Sequence, residues 1–173
     1  IKREVFPSMR ALMTAGEAAD IDDTCLYNCS YLPINTIRSF SDILYILCCG
    51  TGVGFSCESN EVSQLPIVPE IEKDNTHTII VDDSRRGWAD ALNELLNSLY
   101  GGFHLAWDTS QVRPKGARLK TFGGRASGPE PLERLFSFIV SLFNEAKGRR
   151  LSSLEVHDIV CMIGEIVISG GVR

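Results

Sequence analysis

The apolar positions of this chain alternate between short, β-like runs and longer helical stripes. Residues 24–34 (TCLYNCSYLPI) are dense in β-formers and closed by Pro33, which predicts a strand. By the period of two, Cys25, Tyr27, Cys29 and Tyr31 share one face of it. Ser39 then reads as an N-cap, with Phe40, Ile43, Leu44 and Leu47 forming an apolar stripe that stops at Gly50. Gly50 to Ser56 (GTGVGFS) is a glycine-rich entry into a second strand, and Thr76 to Val81 (THTIIV) is a third. Asp82-Asp83-Ser84 caps a helix bearing Trp88, Ala91, Leu92, Leu95, Leu96 and Leu99, closed by Gly101-Gly102. Phe103 to Trp107 (FHLAW) reads as another strand.

Two capping boxes, Ser127-Gly-Pro-Glu130 and Ser152-Ser-Leu-Glu155, predict the starts of the last two helices. The first helix carries Leu132, Leu135, Phe136, Ile139, Val140 and Phe143 toward a core. The second (Val156, Ile159, Val160, Ile163, Ile166, Val167) is apolar on most sides, which predicts burial, Cys161 included. Residues 7–20 predict a short helix or turn broken at Gly16, and residues 58–75 a loop. Strands alternating with helices give an α/β class with a mainly parallel sheet, whose ligand loops lie at the carboxyl ends of its strands.

One stretch interrupts this rhythm. Val112 to Leu132 (VRPKGARLKTFGGRASGPEPL) packs four glycines, three prolines and five Lys or Arg into 21 residues before opening into a helix. Unpaired backbone N–H groups and a helix dipole favour an anion at such a place, so phosphate is one reading. A surface connection rich in turn formers is the other.

Composition changes the picture little. A length of 173 residues suits one domain with a real core, and 23% charged with 44% hydrophobic residues is ordinary for a globular protein. The net charge of −5 runs against direct nucleic-acid binding and makes the basic loop stand out. No apolar run approaches the roughly 20 residues of a membrane span, and no signal-peptide pattern is visible. Six cysteines without a C-x-x-C pair and three histidines without ligand spacing point to a reducing, cytoplasmic setting and no structural metal. The chain starts at Ile1 and stops at Arg173 just after a helix, which reads as two cuts through a larger protein.

Among chemical candidates, Cys29 is the sharpest, a thiol held in a strand beside Tyr27; a buried core cysteine is the ordinary alternative. Cys48 and Cys49 at a helix end read as core. Asp82, Asp83 and Ser84 serve as a helix cap or as ligand contacts. His157 with Asp158 forms an acid–base pair or a plain polar contact, and Trp88 and Trp107 read as packing. The glycines at 50–54 are not a dinucleotide fingerprint, because the strand follows them and no helix opens on them. They permit close approach of a neighbour or a ligand.

In order along the chain, NCSYLPI around Cys29, CGTGVGFS at 49–56, VDDSRRGW at 81–88, the loop at 112–132 with its FGGRASGP core, and LSSLEVHDIVCMIGEIVISGGVR at 151–173 resemble the adenosylcobalamin-dependent (class II) ribonucleotide reductases. The resemblance implies a ten-stranded α/β barrel built of two five-stranded parallel halves, with residues 1–173 forming roughly the first half of that catalytic domain. It implies reduction of the 2′-hydroxyl of a ribonucleoside di- or triphosphate by thiyl-radical chemistry, with adenosylcobalamin as cofactor. Cys29 is then the first member of a reducing cysteine pair that a thioredoxin-type protein re-reduces. Ser8, Ala15, Gly16, Ser30, Gly52 and Gly54 fall to the substrate. Asp83, Ser84, Lys115, Arg118, Lys120, Gly123, Gly124, Arg125 and Ser127 fall to a deoxynucleotide or ATP effector and the specificity loop. The thiyl cysteine, its partners and the cobalamin contacts are expected beyond Arg173, so this chain alone is expected to be inactive. Only residues 58–80 separate the glycine-rich strand from VDDSRRGW, so no long insertion is expected, and a homodimer and a monomer stay open. Two alternatives stand beside this: a non-catalytic effector-binding or assembly module of a split protein, and an unrelated α/β thiol enzyme.

Overall fold

The computed structural model describes residues 8–16, 19–20, 22–118 and 125–170. Helix α1 spans Met9–Thr14, and a 3-10 turn spans Asp23–Leu26. Then follow β1 (Cys29–Pro33), α2 (Arg38–Cys48), β2 (Gly52–Ser56), the single-turn α3 (Ser59–Val62) and β3 (Glu72–Ile80). The chain continues through α4 (Arg85–Tyr100), β4 (Phe103–Asp108), α5 (Glu130–Glu145) and α6 (Ser153–Gly170).

The strands pair in parallel, as the α/β class predicts, but in two separate sheets of two strands each, β1 with β2 and β3 with β4. Parallel neighbours need a crossover, and α2 and α4 supply one each. α2 packs on α4 and α6, and α5 packs on α4 and α6. Phe40, Ile43 and Leu44 of α2, Leu92, Leu95 and Leu96 of α4, Phe136 and Phe143 of α5, and Ile159 and Ile163 of α6 meet in a single hydrophobic cluster. Two edge-to-face aromatic pairs lock it: Tyr100 on Phe143 at 4.9 Å and Trp107 on Phe136 at 5.6 Å.

Several local expectations are corrected. The first strand begins at Cys29, not Thr24, because Asp22 accepts the Thr24 N–H at 2.9 Å and starts a 3-10 turn instead. Cys25 is therefore 2% exposed in that turn and does not share a face with Cys29. Helix α2 starts after Ile37, and Ser39 lies inside it, its hydroxyl paired with Thr36 at 3.0 Å. Strand β3 begins at Glu72, four residues before the expected start, and residues 59–62 form α3 rather than loop.

The two capping boxes part company. At Ser152 the box is reciprocal: the Ser152 N–H donates to Glu155 Oε2 at 2.7 Å and the Glu155 N–H to Ser152 Oγ at 3.3 Å. At Ser127 it does not form. Gly128 sits at φ +84, a left-handed turn that no helical first residue adopts, so α5 starts at Glu130 after Pro129. Helix α6 buries Val156, Ile159, Ile163 and Ile166, yet leaves Leu154 68% exposed, and His157, Asp158 and Cys161 also face solvent. Cys161 is thus a surface thiol, not a core residue.

Two predictions follow from this packing. Phe136→Ala removes a fully buried ring and its Trp107 contact, and is expected to cost about 3–5 kcal/mol in a denaturant melt. The Arg149 guanidinium beside Glu155 lowers that carboxyl to about 2, with the Ser152 bonds adding and burial opposing. A folded value below the unfolded one means stabilisation that is complete above roughly pH 5 and lost as pH falls toward the folded value. Glu155→Gln is therefore expected to flatten the melting temperature against pH between about 5 and 2; an unchanged slope would count against it.

Candidate functional site

The solvent face of the β1–β2 pair carries the sharpest candidate. Cys29 and Tyr31 are both exposed on β1, and their parallel register partners are Gly52 and Gly54 on β2. Side chains thus stand along one strand and are missing along the other, leaving a trough with a thiol at its head. A Cβ on Gly52 would sit 3.5 Å from the Asn28 carbonyl, and one on Gly54 would sit 3.6 Å from the Tyr31 ring. These are ordinary contacts, so the fold tolerates alanine at both positions. What glycine gives is room above the sheet. Cys29 is the first residue of β1 rather than mid-strand.

The entry to both strands is tightly bonded. Gly52 N–H donates to the Asn28 carbonyl at 3.0 Å, and the buried Thr51 hydroxyl lies 2.8 Å from the carbonyls of both Thr24 and Tyr27. Arg10 of α1 reaches Asn28 Oδ1 at 2.9 Å, the Cys25 carbonyl at 3.3 Å and the Gly50 carbonyl at 2.5 Å. Of the residues assigned to substrate, Ser8 caps α1 by accepting the Ala11 N–H at 3.1 Å, and Ala15 ends that helix. Gly16 turns at φ +105 with open space where a side chain would stand. The Ser30 hydroxyl donates to the Gly52 carbonyl at 3.2 Å, across the strand pair.

Beneath this entry lies an acidic hub. Burial alone would raise the Asp22 carboxyl, but hydrogen bonds from Thr24, Tyr45 and Cys49 outweigh it and lower it to about 2. Burial, with Asp22 beside it, pushes Tyr45 up to about 12, and the Arg86 guanidinium lies 4.3 Å over the Tyr45 ring. Burial likewise pushes Cys48 up to about 12 and Cys49 up to about 11. These two thiols are core, as their position predicts. Sequence reasoning missed Arg10, Asp22, Tyr45 and Thr51. The signals available were one Arg in an otherwise apolar short helix and an Asp two residues before Thr24.

At the carboxyl ends of β1 and β2 lies an open groove of about 720 Å³, lined by Tyr31, Phe55, Ser56, Cys57, Glu58, Ser59 and Ser153. This is where a parallel sheet presents ligands. His157 stacks near Phe55 at 5.9 Å and lies 3.5 Å from Asp158 and 3.6 Å from the Cys161 sulfur, on the outer side of α6. No group of three His, Cys, Asp or Glu side chains fit to hold a metal occurs among the described residues.

The basic loop has an ordered base. Gly116 N–H donates to the Ala126 carbonyl and Ala126 N–H to the Ala117 carbonyl, both at 2.8 Å, and Arg118 bridges Arg125 antiparallel. Arg125 also donates to the Gly116 carbonyl at 2.9 Å, while Lys115 and Arg118 are exposed. The Ser127 hydroxyl turns back to the Gly128 carbonyl at 2.9 Å. Lys120, Gly123 and Gly124 lie outside the described residues. Glu130 and Glu133 occupy the first turn of α5, and Glu133 accepts the Thr109 hydroxyl at 2.5 Å. Carboxylates already serve that helix end, so the case for an anion rests on the loop's cations alone. Asp83 is committed to Arg113, whose Nε lies 2.7 Å and 2.9 Å from its two oxygens, and Ser84 accepts the Gly87 N–H as the cap of α4.

The family model of the B12-dependent ribonucleotide reductase insertion domain matches residues 58–143. The adenosylcobalamin-dependent ribonucleoside-triphosphate reductase of Euglena gracilis is 29% identical over 161 residues, 91% of this chain and 22% of that protein. That of Lactobacillus helveticus (strain DPC 4571) is 31% identical over 173 residues, 78% of this chain and 23% of that protein. The chain belongs to the B12-dependent ribonucleotide reductases. A crystal structure of a B-12 dependent (class II) ribonucleotide reductase superposes with a TM-score of 0.82 at 24% identity, over 94% of this chain and 30% of that one. The fold is therefore that of part of a class II reductase. The chain spans under a quarter of the length of these two curated relatives.

The match at 58–143 corrects the expectation that no long insertion is present. Counting only residues 58–80 missed it, because the inserted unit contains the VDDSRRGW helix and the basic loop rather than preceding them. The β3–β4 pair, a sheet of its own, falls wholly within the matched residues.

Thiol reactivity tests the site's geometry. At pH 8 a thiol titrating near 11 is about one-thousandth ionised. Iodoacetamide on the folded chain is expected to label Cys29 and Cys161 first and to spare Cys48 and Cys49. Peptide mass spectrometry reads the order, and early labelling of Cys49 would contradict the buried hub.

Proposed function

We propose that this chain is part of a ribonucleotide reductase, in which Cys29 is one of two thiols that reduce the substrate's 2′ carbon. The observation that carries the reading is the exposed thiol at the head of a glycine trough, in a chain of this family. A sugar ring lying over Gly52 comes within reach of the Cys29 sulfur, with the Tyr31 ring beside Gly54 as its neighbouring wall, and Ser8, Ala15, Gly16 and Ser30 are assigned to the same substrate. The overall exchange balances as one ribonucleotide and two thiols giving one 2′-deoxyribonucleotide, one disulfide and water. The 2′ oxygen leaves with a proton, and the two electrons come from the cysteine pair. The second thiol, the radical-bearing cysteine and the adenosylcobalamin that supplies the radical belong to other parts of the protein. Disulfide formation requires the partner sulfur to approach to about 2 Å, and a solvent-facing Cys29 leaves that approach open.

In this reading the barrel domain begins within these 173 residues, and the loop bearing Lys115, Arg118, Lys120, Gly123, Gly124, Arg125 and Ser127 meets a deoxynucleotide or ATP effector. Its exposed cations suit a triphosphate, and its glycines suit rearrangement. Asp83 and Ser84 support that loop through Arg113 and the start of α4. A thioredoxin-type reductant, a ribonucleoside di- or triphosphate substrate, either a second copy or the remaining C-terminal half as partner, and a cytoplasmic location belong to the same proposal. Among the described residues no helix is long and apolar enough to cross a membrane.

The test is turnover by the longer protein that contains this chain, given adenosylcobalamin and a dithiol. Cys29→Ser is expected to lower deoxynucleotide formation by at least ~1,000-fold, with substrate binding retained; turnover near the parent's would sink the assignment. The 173-residue chain by itself is expected to yield no product under the same conditions.

A further inference from the structure

The Arg10 guanidinium meets three neutral acceptors on two separate segments. Nε donates to Asn28 Oδ1 at 2.9 Å, Nη1 to the Cys25 carbonyl at 3.3 Å and Nη2 to the Gly50 carbonyl at 2.5 Å. Asn28 immediately precedes Cys29, and Gly50 stands two residues before Gly52. Cys29 and Gly52 are register partners at the head of the strand pair. One planar side chain, reaching in from α1, therefore spans the lead-ins to both strands of the trough.

The neighbouring bonds do not duplicate this. Thr51 and the Gly52 N–H tie residues 24–28 directly to the approach of β2. They fix the two lead-ins against each other but not against α1. Arg10 supplies the third point, and it alone holds the Asn28 side chain next to the thiol-bearing residue among the hydrogen bonds described. A lysine has the length and charge but not the fork, because its donors radiate from a single nitrogen.

We infer that Arg10 is a positioning residue for the Cys29 thiol: through Asn28, Cys25 and Gly50 it sets where the sulfur stands over the glycine trough. The inference rests on the proposed reducing role of Cys29 for its functional meaning, but not for its geometry. A thiol that must reach one carbon of a sugar and then a partner sulfur is sensitive to displacements of about 1 Å, which can cost ~100-fold in rate.

The experiment reads the thiol's surroundings without turnover. In the 173-residue chain, Cys57 and Cys161 are replaced by Ser and Cys29 carries a trifluoromethyl label observed by fluorine NMR. One narrow line is expected with Arg10 present. A broadened or split line is expected for Arg10→Gln at a melting temperature within a few degrees of the parent's, narrowing again on addition of methylguanidinium. An unchanged single line in Arg10→Gln would overturn the inference. If that variant melts much lower, Arg10→Lys decides. It keeps the charge and the stem, and an unchanged line there overturns the argument from the planar fork.

In the longer protein, Arg10→Gln is expected to lower kcat roughly tenfold with the nucleotide KM unchanged, whereas a loss confined to KM would contradict positioning. If Cys29→Ser leaves turnover intact, the reductase role of Cys29 falls while the fluorine line still decides the geometry of Arg10.

Discussion

Two parallel strands cannot be closed by a tight turn, so each strand pair here brings a long crossover helix with it. Parallel pairing also puts both strand starts at the same end. That is why Cys29 and Gly52 stand side by side, and why one segment ahead of β1 touches the approach of β2 as well. The crossover helices do the rest. Leucines along α4 and the Phe40 stripe of α2 face each other, and α5 and α6 close over them, so all four long helices share a single apolar cluster. The trough is the side of the β1–β2 pair left over once the other side has been spent on that packing.

Legibility followed the same physics. Helices α4, α5 and α6 could be read from the chain because their apolar spacing is regular over 16 to 18 residues. Boundaries failed where a single local bond outweighed the pattern. A side-chain oxygen on Asp22 was enough to hold residues 23–26 in a 3-10 turn against a run of β-formers. At Ser127 the letters of a capping box were present, but Gly128 turned left-handed and Pro129 offered no N–H. The exposure of Cys161 could not be read from a helix apolar on most sides, because which side faces out depends on where α5 and α2 dock. The candidate thiol and its glycine partners were visible as motifs. The Arg10 fork, whose acceptors lie 15 to 40 residues away, was not.

The basic loop changed most in meaning. Its described ends, residues 116–118 and 125–126, are drawn together by an isolated antiparallel bridge and the hydrogen bonds beside it into a short stem. The Arg113–Asp83 pair joins that stem to the start of α4. Its charge stands out because the helix that follows begins with carboxylates, which occupy the dipole end nearest the loop's cations.

The buried placement of Cys25, Cys48 and Cys49 has a further bearing on the redox role proposed for Cys29. Thiol–disulfide exchange passes to whichever thiolate can reach the oxidised sulfur. Burial withholds access from these three, and at Cys48 and Cys49 it suppresses the anion as well. Cys161 sits on the outer side of the last helix. The thiol–disulfide cycling proposed for Cys29 is thereby kept away from these three sulfurs. The core acts as insulation against misrouted crosslinks as much as it acts as packing.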